Sequence, residues 1–254
     1  EPGVYFDLNE DDYHRDPSLG STDMKNLGAD IETFWLHSRF NPNRPDTETD
    51  AKLKGQALHK LVLEGEAASD KAFVVDCVPE NHPGALVTGK DLEAFCRERK
   101  IAGFSGKAKA DLVALIKREA PEAVIFDEIY ATFLAMAQRD GRKILKPKVA
   151  EEVRQAAAAM SINEHLAHAF SGGPSEVSIF WRDAHGIPCK ARIDKLKPRT
   201  LVDLKKSDNL RGRSFADALR RDLVAYRYDI QAEHYFQGYA HLYDFAREGR
   251  IFGD

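Results

Sequence analysis

The chain has 254 residues, of which 43% are hydrophobic and 31% charged, with a formal net charge of −4. That length can bury a sizeable core and suits one large domain or a domain carrying an insertion, and the composition excludes a disordered or fibrous chain. No apolar run approaches the roughly 20 residues that cross a bilayer, so no membrane partner is expected and the expected compartment is the cytoplasm.

The three cysteines, Cys77, Cys96 and Cys189, are odd in number and widely spaced, with no CxxC pair. Neither a disulfide framework nor a four-thiolate iron–sulfur cluster is expected from them. The charge is uneven. Residues 190–221 hold eleven Lys/Arg against four Asp, net +7, and residues 88–121 hold eight against five acids, net +3. Such stretches suit a polyanion, because phosphate neutralisation drives most non-specific DNA affinity; a solvated charged face is the plain alternative. The chain opens on Glu1 rather than Met, and a piece of a longer polypeptide is expected.

In chain order, Asn9 to Asp12 can open a short helix. From Ser21, a plausible N-cap, Met24, Leu27, Ile31, Phe34 and Trp35 recur at helical spacing, which predicts one amphipathic helix packed on a sheet. After the Pro-rich loop at 41–46, Asp50 opens a second helix through Glu64. Within it Gly55 and His59 form a GxxxH pair on one face, where the missing side chain leaves room beneath the imidazole. His59 is a candidate metal ligand; a structural histidine is the bland reading. Residues 71–78 read as a strand. Residues 88–121 give two amphipathic helices, Thr88 to Arg99 and Ser105 to Glu119, and are similar to small helix-extended-helix or SAP-type DNA-binding units; a purely structural insertion is the equal alternative. A strand near Val124 to Phe126 and helices from Lys148 to Met160 and Asn163 to Phe170 follow.

The strongest pattern lies at residues 174–205. Three short runs alternate apolar and polar residues and are separated by Asp183-Ala184-His185-Gly186 and Lys197-Pro198-Arg199-Thr200, which predicts a β-meander. In the first strand Val177, Ile179 and Trp181 face one way, and Glu176, Ser178 and Phe180 the other. The second strand ends at Asp194, and the third is expected to carry Asp203 and Lys205 on one face. Two carboxylates followed by Asp-x-Lys suit a divalent ion such as Mg²⁺ with phosphate, and the lysine can hold the attacking water or the developing phosphate charge. An exposed face of ordinary Asp/Lys pairs is the alternative.

Beyond the meander, Ser214 can cap a short helix, and a long helix is expected from about Asp222 to Arg247. On it Gln231 and Tyr235, four apart, project together as hydrogen-bonding groups.

GxxxH, Glu176, Asp194 with Asp203-Leu204-Lys205, and Gln231-x-x-x-Tyr235 stand in the order typical of PD-(D/E)XK nucleases related to RecB. The chain most resembles the RecE (exodeoxyribonuclease VIII) nuclease branch. The resemblance is carried by Glu1 to Asp7 with Asp12-Tyr13-His14, Gly55 to His59 with Val62-Leu63-Glu64, Glu176 to Trp181, Gly186 to Lys195, and Tyr226 to Gln231.

The resemblance implies an α/β PD-(D/E)XK nuclease fold, a central mixed sheet with the three-strand meander flanked by helices. One nuclease domain over 1–254 is expected, with two departures from the family's pattern: a helical insertion at 88–121, and a chain that stops at Asp254 where the family continues into further strands. The implied activity is Mg²⁺-dependent exodeoxyribonuclease action on linear double-stranded DNA, with Mn²⁺ able to substitute. The 5′ strand is degraded to leave a 3′ tail for a RecT-like single-strand annealing recombinase, and the enzyme is a ring-like homo-oligomer. Carried over by position, His59, Asp194, Asp203 and the Leu204 carbonyl bind metal, Glu176 assists through water on the metal, Lys205 orients the nucleophile, and Gln231 and Tyr235 support the site. Lys190, Arg192, Arg211, Arg213 and Arg227 are the expected DNA contacts. A catalytically idle DNA-binding or assembly module on the same fold is the alternative; clustered carboxylates that repel one another without an ion argue against it.

Overall fold

The computed structural model describes residues 1–45, 49–207, 212 and 214–253. In chain order the elements are β1 (Gly3–Tyr5), α1 (Glu10–Arg15), α2 (Ser21–Ala29), α3 (Ile31–His37), α4 (Asp50–His59) running into a π turn (Lys60–Glu64), and α5 (Glu66–Ala72). Next come β2 (Phe73–Val75), α6 (Gly89–Glu98), α7 (Lys109–Glu119), α8 (Phe126–Arg139), β3 (Lys143–Leu145), α9 (Pro147–Ile162) and α10 (Glu164–Phe170). The meander strands β4 (Ser175–Arg182), β5 (Pro188–Lys197) and β6 (Thr200–Val202) follow, then α11 (Phe215–Ala225), α12 (Tyr228–Ala240), α13 (Leu242–Arg247) and β7 (Ile251–Phe252).

The chain forms two compact units, one of Glu1–Glu66 with Val153–Asp254 and one of Ala67–Glu152. The first is built on a mixed five-stranded sheet in the order β6-β5-β4-β1-β7. β4 and β5 pair antiparallel, as do β5 and β6 and β1 and β4, while β1 runs parallel to β7. This is the α/β architecture expected, meander included. The first turn closes because Asp183 Oδ1 accepts the N–H groups of His185 and Ile187 and Gly186 adopts φ +79°, a conformation favouring glycine. Val4, Val177, Ile179, Trp181, Cys189, Ala191, Ile193 and Phe245 form the core on one side, each large side chain contributing about 1.5–3 kcal/mol relative to exposure. Ser178 and Phe180, on the opposite face of β4, are buried as well, the Phe180 ring lying against Tyr5 and Tyr13.

The second unit has its own small core of Leu92, Cys96, Leu112, Ile116, Ala120, Ala123 and Ile125. Thr88 caps α6 through a capping box with Asp91. The two helices read at 88–121 are thus α6 and α7, while the stretch read as a strand near 124–126 supplies a single bridge from Ile125 to Leu86 and then becomes α8.

Three expectations are corrected. The helix expected from Ser21 through Trp35 is broken at Asp30, whose extended backbone ends α2 and whose carboxylate accepts the N–H of Thr33 to start α3. Its apolar residues also stay out of the core: Ile31 is 65% and Trp35 52% exposed. The long helix expected from Asp222 to Arg247 is three helices, interrupted where Arg227 takes φ +47° and again at His241. The third strand stops at Val202, because the Leu204 N–H donates to the Asp194 carboxylate at 2.6 Å and not to a ladder carbonyl.

Candidate metal centre

The β4–β5 register sets the first pair of the site. Ser175 lies opposite Lys195 and Val177 opposite Ile193, so Glu176 faces Asp194 across the sheet on the side away from the aliphatic core. Glu176 itself holds φ +54°, a left-handed conformation that costs a non-glycine residue on the order of 1–3 kcal/mol and concentrates at functional sites. Its carboxylate is paired with Arg192 at 2.8 Å.

His59 enters from the end of α4, where the helix loosens into the π turn, a feature frequent at functional sites. One nitrogen of His59 and one carboxylate oxygen each of Glu176 and Asp194 lie within 4.8 Å of one another. His59 Nε2 is 2.8 Å from the Leu204 carbonyl. A carbonyl only accepts, so Nε2 carries the proton and the lone pair stays on Nδ1, 3.5 Å from Asp194 Oδ2. A Cβ on Gly55 would meet nothing within 4 Å, so nothing described fills the space expected beneath the imidazole.

Asp194 is only 7% exposed. Burial raises its pKa, and the neighbouring charge of Asp203 raises it further. Burial and then Asp194 push Glu176 up to about 7, against the lowering influence of Arg192. Burial and then the Lys205 charge lower the imidazole of His59. An imidazole lone pair and two desolvated carboxylates facing one point fit a divalent cation, which relieves their repulsion as a proton would.

Asp203 and Lys205 lie just beyond β6. Lys205 Nζ is 2.5 Å from Asp203 Oδ2, and Gln231 Nε2 donates to Asp203 Oδ1 and to Tyr235 Oη, both at 3.0 Å. The structure thus brings His59, Glu176 and Asp194 together and sets Asp203 beside them, its oxygens turned to Lys205 and Gln231. The Leu204 carbonyl faces His59. A cavity of about 790 Å³ runs from Asp203, Lys205 and Gln231 along the apolar sides of Leu219, Leu223 and Phe236.

The expected DNA contacts fare unevenly. Lys190 is corrected: it is 2% exposed, and its ammonium donates to the carbonyls of Tyr13 and Asp16 at 2.5 and 2.9 Å, a buried position away from any phosphate at the surface. Arg192 is mostly buried on Glu176 and the Leu8 carbonyl. Arg227 is exposed, pairs with Asp229 and lines the cavity. Arg211 and Arg213 lie outside the described residues.

Sequence reasoning missed Lys25. On α2, it donates to Gln231 Oε1 at 2.6 Å, and it shares the ring of Tyr228 with Lys205, the two ammonium groups standing 5.2 and 5.4 Å from the centroid. Burial and then the Lys205 charge lower its pKa to about 8. Nothing at Ser21 to Ala29 carries a motif; the contact spans 206 positions.

A mixed sheet whose meander sets a carboxylate opposite another and follows it with Asp-x-Lys defines a PD-(D/E)XK-type domain. The chain belongs to the family described as PDDEXK-like domain of unknown function (DUF3799), which matches residues 36–252. This match supports the nuclease superfamily without singling out the RecE branch. Comparison with curated proteins and with solved structures gave no match. No helix among the described residues is long and apolar enough to cross a membrane.

Proposed function

We propose that the chain is a divalent-metal-dependent exodeoxyribonuclease acting on linear double-stranded DNA. The observation that carries this reading is the convergence of His59, Glu176 and Asp194 within 4.8 Å, next to a lysine held on Asp203. His59, Glu176 and Asp194 would hold Mg²⁺, or Mn²⁺ in its place, with Asp203 beside them, and the ion would supply a Lewis acid for the phosphodiester oxygens.

The chain's own residues do the rest. Lys205 places a positive charge beside the carboxylates, where negative charge on a phosphate grows during hydrolysis. Asp203 and the ring of Tyr228 hold that ammonium in place. Arg192 orients Glu176, and Gln231 with Tyr235 holds Asp203. Arg227, which lines the cavity, is taken as a contact to the DNA backbone. Degradation of the 5′ strand, a ring-like homo-oligomer and a RecT-like annealing partner are supported by the resemblance to RecE-type nucleases.

The test is digestion of linear duplex DNA labelled separately at its 5′ and 3′ ends, with Mg²⁺ and with EDTA. Mg²⁺-dependent loss of 5′ label with the 3′ label retained is the expected result. Tight binding in EDTA with no nucleotide released under any metal would overturn it in favour of an idle DNA-binding module.

A further inference from the structure

We propose that Lys25 is a positioning residue of this site: its ammonium fixes the Gln231 side-chain amide in the one orientation that donates to Asp203. The contact stands on geometry alone; its kinetic consequence rests on the nuclease reading.

An ammonium can only donate, so the atom 2.6 Å from Lys25 Nζ is the amide oxygen of Gln231. Its Nε2 then offers one N–H to Asp203 Oδ1 and one to Tyr235 Oη. The flipped amide would set oxygen against the Asp203 carboxylate and NH₂ against the ammonium, replacing attraction with repulsion at both ends. Gln231 is buried, so water is poorly placed to satisfy either end, and an unmade hydrogen bond there is costly. With Oδ1 of Asp203 taken by the amide, Oδ2 is left to Lys205. The chain of contacts therefore runs from Lys25 through Gln231 to Asp203 and ends at Lys205. Lys25 precedes the region of the family match, which begins at residue 36, so the family pattern does not report it.

Outer partners of metal-site ligands typically matter roughly 10- to 100-fold in activity or metal affinity. Lys25→Met, Lys25→Arg, Gln231→Leu and the Lys25→Met/Gln231→Leu double variant are compared in Mg²⁺-dependent cleavage of linear duplex DNA. Lys25→Met is expected to lower kcat roughly 10- to 100-fold with KM little changed, and Lys25→Arg to restore most of it. The double variant should be within about twofold of Gln231→Leu alone, since the two residues act as a unit. Losses that multiply in the double variant, or that fall on KM with a weakened salt dependence, would show Lys25 touching DNA directly and overturn the proposal.

An arm independent of activity uses the side-chain amide signals of Gln231 in ¹H–¹⁵N spectra of the metal-free protein. Lys25→Met is expected to shift or broaden them. Unchanged signals overturn the proposal whether or not the protein cleaves DNA. Shifted signals in a folded protein that cleaves nothing uphold the positioning contact and sink the nuclease reading instead.

Discussion

Leu204 and Asp194, ten positions apart, are joined by a 2.6 Å hydrogen bond from the main-chain N–H of one to the carboxylate of the other. The carbonyl of Leu204 accepts from His59. One peptide segment therefore orients two side chains of the site, and does so by leaving the β ladder.

That arrangement specifies a tautomer. His59 is expected to carry its proton on Nε2 and keep Nδ1 free for a cation, as a hydrogen-bonded second nitrogen dictates. Long-range ¹H–¹⁵N correlation of the ring in metal-free protein should show the Nε2–H form. A predominant Nδ1–H signal would refute it.

Removing one carboxylate should separate activity from folding. Asp203→Ala takes away the partner of Lys205 and the acceptor of Gln231, and is expected to abolish Mg²⁺-dependent digestion while far-UV circular dichroism stays unchanged. Asp194→Asn keeps an oxygen for the Leu204 N–H and removes a buried charge; the metal-free protein should be as stable or more so, by on the order of 1 kcal/mol, yet inactive. A fully active Asp203→Ala variant would sink the proposed reaction.

The carboxyl groups of Glu176 and Asp194 hold protons more tightly when folded than when unfolded, chiefly through burial. The stability this lends is complete below the unfolded carboxyl range near about 4 and is lost as pH rises through the folded values. The lowered imidazoles of His14, His59 and His234 act in the opposite sense, so the informative quantity is a difference. In EDTA, Tm of Glu176→Gln/Asp194→Asn minus Tm of the wild type should grow between about pH 5 and about pH 8. A difference that stays constant or shrinks with pH contradicts the shifts.

Gly238 marks where α12 meets the sheet. A Cβ there would stand 2.8, 3.1 and 3.2 Å from three atoms of the buried Trp181 indole, a rigid neighbour. Gly238→Ala should cost about 1–3 kcal/mol by overpacking, offset in part by roughly 1 kcal/mol of helix propensity. Urea unfolding measures the net loss; an alanine variant more stable than the wild type would mean that the helix stands further from the sheet.

Arg227 offers two readouts of opposite sign. Its left-handed backbone is relieved in Arg227→Gly, while the exposed pair with Asp229 is worth little, so stability should rise by about 0.5 kcal/mol. DNA affinity should fall uniformly across sequences, with the salt slope reduced by about 1. Unchanged affinity would remove Arg227 from the DNA surface.

Much of the site was legible because its signals are local. Period-two alternation around Asp183 to Gly186 marks β4 and β5 wherever the rest of the chain goes, and the carboxylate spacing travels with them. GxxxH and Gln231-x-x-x-Tyr235 depend only on the rise of a single helix. The helix breaks at Asp30 and Arg227 were missed because apolar periodicity continues across them; a cap and one left-handed residue decide the interruption. Lys190 read as a surface cation because composition counts charge without burial, and a central strand with both faces covered swallowed it.

The sequence by itself therefore determined the meander, the order of the carboxylates and lysine, and the superfamily, since each follows from neighbours along the chain. Only the tertiary structure decided that Glu176 faces Asp194, that Leu204 leaves the sheet to hold Asp194 and His59, and that Lys25 reaches Gln231. Those contacts join segments brought together by strand register and helix packing, and a contact between residues 206 positions apart leaves no periodicity in the chain from which it could be read.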